Sequence, residues 1–590
     1  MGGRRPSASD DEASAGRAPG PTPHPVPAAG DWVVGATGVS RESLAPLAAE
    51  WHRLEEWPGT AILKSNPSRD VLRLPPEEGR PSLAVKRYRV RGRAERWKYR
   101  FLPSRAAREW RALRELHAAA LPVPRPVGFF ESREGGTLLG SGLVMEFLEG
   151  VEPLPPLVTG GAIPEEEKAA RLRAIGAIVA RVHERGISHP DLHLGNFLGC
   201  QAEPLDVRLL DLHAVRHLGT VRPGRRRRDL GKLVHSLGEE AGPERIAPLV
   251  EAYLDGSREA GLGTPSEEVS RILDAAREVE RVRLRSRDRR CWKSTSQFSR
   301  EERGRWRIHR RRSFPEEAVN ALIAGEAESL RTFVDRAGHT VREVRLPGAR
   351  SGHRWIVKER SRGGLRSLLD RCHRGPLERG WAAARQLEVR GLPHPPAQAL
   401  LIERPLARVT RTILVTEALP GRTLAEEVRS RREDPRGLSL FLARAADTIA
   451  PLLRALHRSR IHHRDLNPSN WLILPDAAGG EGAGAMAGEA GSGLERDPVR
   501  VAILDLDSIH PRRDATLRRR RGNLVQLALL PDGICPPRLR ARFLLRYHAG
   551  ERIHSSWLRS LDRELARRQI EEIEKRIARE ITATRDGTER

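Results

Sequence analysis

Apolar and polar positions along the 590-residue chain alternate between two periods. Short runs such as SLAVKRY (82–88) and RWIVKER (354–360) are apolar for a few residues and end in a lysine, which predicts strands. RWRIHR (305–310) alternates apolar with basic, so Trp306 and Ile308 are expected on the buried side of a strand. The stretch RLRAIGAIVARVHERG places apolar residues at 172, 175, 178, 179 and 182, one face of an amphipathic helix. Two Pro-rich turns, LPVPRP (121–126) and LPHPPA (392–397), each close a helical stretch containing a tryptophan, Trp110 and Trp381. RRRRDLGKLVHSL (225–237) and RRRRGNLVQLALL (518–530) are both helical in period. RELARRQIEEIEKRIAREI puts Leu565, Ile570, Ile573 and Ile577 on one stripe of a C-terminal amphipathic helix within 551–590.

These blocks occur twice, in the same order, which predicts a tandem duplication. SHPDLHLGNFL (188–198) matches HHRDLNPSNWL (462–472), and VRLLDLHAV (207–215) matches VAILDLDSI (501–509). Lys86 precedes Asp191 by 105 residues and Lys358 precedes Asp465 by 107. The later spacings differ by a low-complexity Gly/Ala insertion at 475–498. The expected organisation is a disordered leader at 1–30, a first domain at 31–280, a second at 281–550, and the helix at 551–590.

Charge adds a second theme. The formal net charge is +26, and residues 281–312 hold 14 Arg/Lys against 3 acids. A polyanionic partner fits such a surplus: an anionic membrane surface, a phosphorylated glycolipid or nucleic acid, against the plainer reading of a solvated face. Trp292, Phe298 and Trp306 among those arginines suit single-stranded RNA, but strand burial is the preferred reading. No apolar run reaches 18 residues, so no spanning helix is expected. The N-terminus has no apolar signal core, and four scattered cysteines (Cys200, Cys291, Cys372, Cys535) fit a reducing cytoplasm. Only eight of the 104 basic residues are lysines. A lysine inside a strand therefore points to a site that needs a compact ammonium.

The duplicated landmarks carry the parts of phosphoryl transfer in order. Lys86 ends a strand and would bind nucleotide phosphates, with Glu109 as its ion-pair partner. Asp191 lies in a loop after a long helix and would accept the proton of the attacking hydroxyl. Asn196 and Asp211 would bind a divalent metal. In the second half the corresponding residues are Lys358, Asp465, Asn470 and Asp505. There Glu109 aligns with Gly380, and Glu378 lies about 200° round the helix, so Lys358 is expected to lack its partner. Asp507 is expected either to add a metal ligand or to be solvated.

This is the protein-kinase-like pattern. With LAVKRY, REWRALRELHAAALPVPRPVGF, SHPDLHLGNFL, LLDLHAV and RRRRDLGKLVHSL in view, the chain resembles the lipopolysaccharide kinase family. These are bacterial enzymes that phosphorylate heptose or 3-deoxy-D-manno-octulosonic acid of the core. The resemblance covers about 59–250 well and about 290–545 more loosely. It implies an α+β fold of two tandem bilobal protein-kinase-like domains, each with a β-rich small lobe and a helical large lobe. It implies ATP and Mg²⁺ as cofactors, a glycolipid or sugar acceptor, and a cytoplasmic protein peripheral to the membrane's inner face. A kinase of another acceptor and a tandem pseudokinase scaffold are the alternatives. Neither half has a Gly-rich motif before its lysine, and the phosphate-covering turn of the first half is expected within LKSNPSRDVL (63–72). Pro190 replaces the arginine of the loop motif, which fits a small-molecule or glycolipid acceptor.

Overall fold

The computed structural model describes residues 31–33, 46–47, 49–77, 80–90, 92–238, 241–259, 261–348, 353–361, 374–405, 408–475, 498–510, 516–530, 533–549 and 555–588. The leader and nearly all of the Gly/Ala insertion lie outside them, as does Cys372. The chain divides into two compact units, Met1–Val282 and Arg283–Arg590. The division falls inside one helix, Pro265–Asp288, rather than in a loop.

The first unit begins with a six-stranded antiparallel sheet. Its edge-to-edge order is Asp31–Val33, Pro126–Glu134, Thr137–Glu146, Leu83–Arg89, Arg69–Leu74 and Ala61–Asn66. The last two strands form the hairpin expected in 63–72. Asn66 Oδ1 closes its turn by accepting from the backbone N–H groups of Ser68 and Arg69, each at 2.9 Å. Side chains alternate across a strand. Leu83 and Val85 therefore join an outer cluster with Leu72, Leu74 and Val144. Ala84 and Tyr88 turn to the main core, against the helix Arg105–Ala118. Lys86 shares that second face by period two.

The helix Arg105–Ala118 starts where Ser104 Oγ accepts from Ala107 N at 3.0 Å, an N-cap. It buries Ala106, Glu109, Trp110 and Leu113, spaced three and four apart. The helix Glu165–Glu184 buries Leu172, Ile175, Ile178, Val179 and Val182, the face read from the sequence. It packs on Pro243–Asp255 at Gly176, where a Cβ would lie 2.2 Å from the Leu249 carbonyl oxygen.

The second unit also begins with an antiparallel sheet, here opening with an extra hairpin followed by a short helix, Glu316–Ala324. Its seven-stranded antiparallel sheet runs Phe298–Arg303, Trp306–Arg311, Ala397–Glu403, Arg411–Glu417, Trp355–Ser361, His339–Arg345, Glu328–Arg336. Lys86 faces Val71 and Leu143 across its strand, and Lys358 faces Val341 and Leu414. The helix Pro376–Val389 stands where Arg105–Ala118 does, with Trp381 in place of Trp110. The helix Pro435–Arg458 packs against Pro537–His548.

Phe298, Trp306 and Ile308 are buried, as the strand reading expected, so they serve the core and not a stacking surface. Two other expectations change. The run Arg225–Arg228 is not one solvated face. Arg226 is buried and bonds Glu184, Tyr253 and the Val221 carbonyl, while Arg227 pairs with Glu268. In the C-terminal helix Ser555–Thr588, Leu561 and Leu565 are buried but Ile570 is 58% exposed, so the expected stripe is covered at Leu565 and open at Ile570. The side chains of Ile573 and Ile577 lie outside the described residues.

Candidate active site

In the first unit Lys86 is 7% exposed at its side chain and sits between two carboxylates. Its Nζ lies 2.5 Å from Glu109 Oε1 and 3.3 Å from Asp211 Oδ1. Tyr88, two residues along the strand, donates its hydroxyl to the other Glu109 oxygen. Arg69, from the hairpin, grips Asp211 with both ends of its guanidinium, at 2.6 and 2.8 Å. His213 Nδ1 is 2.9 Å from Asp211 Oδ1. Burial opposes charge on both Lys86 and Asp211. On Lys86 the charge of Glu109, followed by that of Asp211, outweighs it; on Asp211 the charge of Lys86 does so, with His213 and Arg69. The ammonium is held above its ordinary pKa and the Asp211 carboxyl far below the usual carboxylate range.

Asp191 is exposed in the loop after Glu165–Glu184, whereas Asn196 is buried. Asn196 Nδ2 donates to the Asp191 carbonyl at 2.6 Å, and its own carbonyl accepts from Leu210 N at 2.7 Å. The first bond fixes the loop, and the second ties it to the residue before Asp211. Asp211 is left-handed at φ 63° and ψ 51°, a conformation that costs a non-glycine residue energy and clusters at functional sites. Asp211 and Asn196 offer oxygen donors of the kind a hard divalent cation takes. Ligand atoms of Glu109, Asp211 and His213 lie within 4.8 Å of one another.

The second unit rebuilds this frame. Asn470 Nδ2 donates to the Asp465 carbonyl at 2.6 Å, and Leu504 N donates to the Asn470 carbonyl at 2.9 Å. Asp505 is left-handed at φ 52° and ψ 56°. His463 Nε2 lies 3.0 Å from the Leu504 carbonyl oxygen, which ties the loop histidine to the same strand end. Lys358 does not lack a partner. Its Nζ lies 2.7 Å from Asp505 Oδ1 and 2.6 Å from Asp507 Oδ1. Asp507 is thus neither solvated nor an uncommitted ligand; its side chain is 8% exposed and paired. Glu378 is spent elsewhere. It accepts from Gly375 N at 2.8 Å as a helix cap and lies 3.6 Å from Arg404.

A matched pair of supports lies behind the loops. His183 Nδ1 is 2.8 Å from the Tyr253 hydroxyl, and His457 Nδ1 is 2.7 Å from the Tyr547 hydroxyl. Asp229 accepts from Ser188 Oγ at 2.6 Å and His189 N at 3.0 Å. Asn523 does the equivalent work by donating to the His463 carbonyl at 2.7 Å. Laid side by side without a gap, the two Arg runs would pair Asp229 with Gly522, one residue off. Sequence reading missed these residues, and also Arg69, Tyr88 and Lys232, which donates to the Pro190 carbonyl. Only the rarity of lysine marked Lys232.

A strand lysine, an opposed carboxylate, an Asp–Asn loop and a left-handed aspartate meet in one place, the set expected from the protein-kinase-like pattern. Residues 83–253 match the model of the lipopolysaccharide kinase (Kdo/WaaP) family. Among relatives, a 3-deoxy-D-manno-octulosonic acid kinase of Stenotrophomonas maltophilia (strain R551-3) is 38% identical over 97 residues, 16% of this chain and 36% of the relative. One from Xylella fastidiosa (strain 9a5c) is 34% identical over 143 residues, 24% of this chain and 54% of the relative. The chain thus spans about half or less of the curated relatives it matches. A solved structure of WaaP in complex with acyl carrier protein aligns at 21% identity and a TM-score of 0.29, over 38% of this chain and 88% of that one. No helix among the described residues is long and apolar enough to cross a membrane.

Proposed function

We propose that the first unit is an ATP- and Mg²⁺-dependent phosphotransferase acting on a sugar hydroxyl of a lipopolysaccharide core or lipid A precursor. The second unit is a tandem copy of the same bilobal, protein-kinase-like design. The observation that carries this reading is Lys86 held between Glu109 and Asp211, inside the segment that matches the family. Lys86 binds the nucleotide phosphates, and Glu109, backed by Tyr88, keeps the ammonium aimed. Asp191 is exposed on its loop, open to an incoming hydroxyl, and takes its proton. Asp211 and Asn196 hold the divalent cation, which neutralises phosphate charge when bound. A sugar acceptor is favoured by the relatives' shared name. A phosphorylated glycolipid at the inner membrane face suits the net charge of +26.

The test is transfer from labelled ATP to extracted lipopolysaccharide precursors, with and without a chelator. Label should enter the glycolipid only when Mg²⁺ is present. Protein that binds ATP but labels no precursor would refute the sugar-kinase reading.

A further inference from the structure

The site in the second unit lies outside the matched segment. It keeps the strand lysine, the Asp–Asn loop and the left-handed aspartate of the first, but not the helix glutamate. We propose that it is a second binding site for a nucleoside triphosphate with its divalent cation, in which Asp507 replaces that glutamate as the positioning residue for Lys358. This rests on the kinase-like reading of the fold but not on any particular acceptor.

Three observations converge. First, Lys358 Nζ is 2.6 Å from Asp507 Oδ1, almost the separation of Lys86 from Glu109, 2.5 Å. The carboxylate is in the right place but arrives from a different element. Second, Gly380 and Asp507 are geometrically linked. A Cβ on Gly380 would lie 3.0 Å from Leu414 Cδ2, 3.3 Å from Asp507 N and 3.5 Å from Asp507 Cα. Leu414 is the cross-strand neighbour of Lys358. A side chain on the helix here would crowd Leu414 and the Asp507 backbone by a few tenths of an ångström, so the helix position and the Asp507 segment share one space. Third, the backing residue follows the counter-ion. Tyr88 holds Glu109 in the first unit. Two residues after Lys358, at the same place on the strand, Arg360 Nη2 lies 3.6 Å from Asp507 Oδ2. In the first unit the residue two after the metal aspartate is His213, which touches Asp211 and not the lysine's glutamate.

The consequence is a complete phosphate-binding constellation. Lys358 meets the phosphates, Asp507 keeps it aimed, and Asp505 with Asn470 supplies oxygen donors. Asp465 is exposed on its loop, with Asn467 Nδ2 donating to it at 2.9 Å.

The experiment uses the full chain carrying Lys86→Met, so that only the second site is read, with MgATP and adenosine as calorimetric probes. One equivalent of MgATP should still bind. Adding Asp507→Asn should weaken MgATP about tenfold, because the ammonium loses its aim at the phosphates, and leave adenosine unchanged. Lys358→Met should give a similar loss, and the two changes together no more than either alone, because they remove one interaction. Gly380→Ala is a second variant that disturbs the pair without altering its charges, and it should weaken MgATP in the same phosphate-dependent way. No binding to the Lys86→Met chain would overturn the proposal. So would equal losses for MgATP and adenosine, or additive losses in the double variant. No acceptor is present, so failure to label glycolipid and failure here are separate results.

Discussion

The two sites agree in almost every backbone feature and differ in where one carboxylate comes from. Both place a lysine at the same register of a central strand, and both tie an Asp–Asn loop to a left-handed aspartate. In the first the lysine's partner is Glu109 on a helix; in the second it is Asp507, two residues past the left-handed aspartate. The difference teaches that the constraint is on charge and distance at the ammonium, not on sequence position. Burying an unpaired lysine costs several kcal/mol, and in each site two carboxylates meet the ammonium.

The strongest way to break the comparison is to remove each lysine in turn. Lys86→Met should lower transfer to glycolipid about 10²–10³-fold, the cost of losing a preorganised charge at the transferring group. Lys358→Met should lower it less than about threefold, since its site lies in the other unit. Initial rates of label transfer read both. A Lys358→Met loss equal to that of Lys86→Met would remove the assignment of chemistry to the first unit.

A sharper contrast sets Glu109 against Glu378, both buried glutamates on equivalent helices. Glu109→Gln leaves a buried ammonium with only Asp211 and should cost about 3 kcal/mol of stability. Glu378→Gln weakens a helix cap and should cost about 1 kcal/mol. Urea midpoints of the two variants give the ranking, and equal costs would mean that Glu378 has a charge role the geometry does not show.

The smallest effect concerns acid. Burial pushes His457 down to about 4, while an exposed histidine titrates near 6.5. Between those values the unfolded chain binds a proton that the folded chain refuses. Stability from this group is therefore complete above about pH 6.5 and lost as pH falls toward 4, by on the order of 1–3 kcal/mol. His457→Gln should flatten that slope in unfolding measurements. In the first unit His183 is also held below its ordinary value by burial, but Asp229 stands 3.7 Å from its ring and opposes the shift.

Much of the arrangement was legible in the sequence because the strong signals were local. The lysine strands, the face 172–182 and the order of landmarks follow from periodicity and repetition, which need no tertiary contact. Glu109 was legible because it precedes a tryptophan on an amphipathic helix. Asp507 was not, since its partner lies 149 residues away. Nothing local separates a solvated aspartate from one buried under a glycine. Arg69 and Tyr88 were hidden for the same reason: each acts across the sheet or the cleft. The arginine run 225–228 stayed open in the sequence because charge composition does not reveal which guanidinium points inward.

The central claim is that the first unit moves the phosphate, with Asp191 accepting the proton. The most direct measurement is Mg²⁺-dependent transfer from labelled ATP to lipopolysaccharide precursors by wild type, Asp191→Asn and Asp465→Asn side by side. The account predicts a loss of about 10²–10⁴-fold for Asp191→Asn, the usual size of a general-base contribution, and retained label for Asp465→Asn. Label that survives Asp191→Asn and vanishes with Asp465→Asn would contradict it.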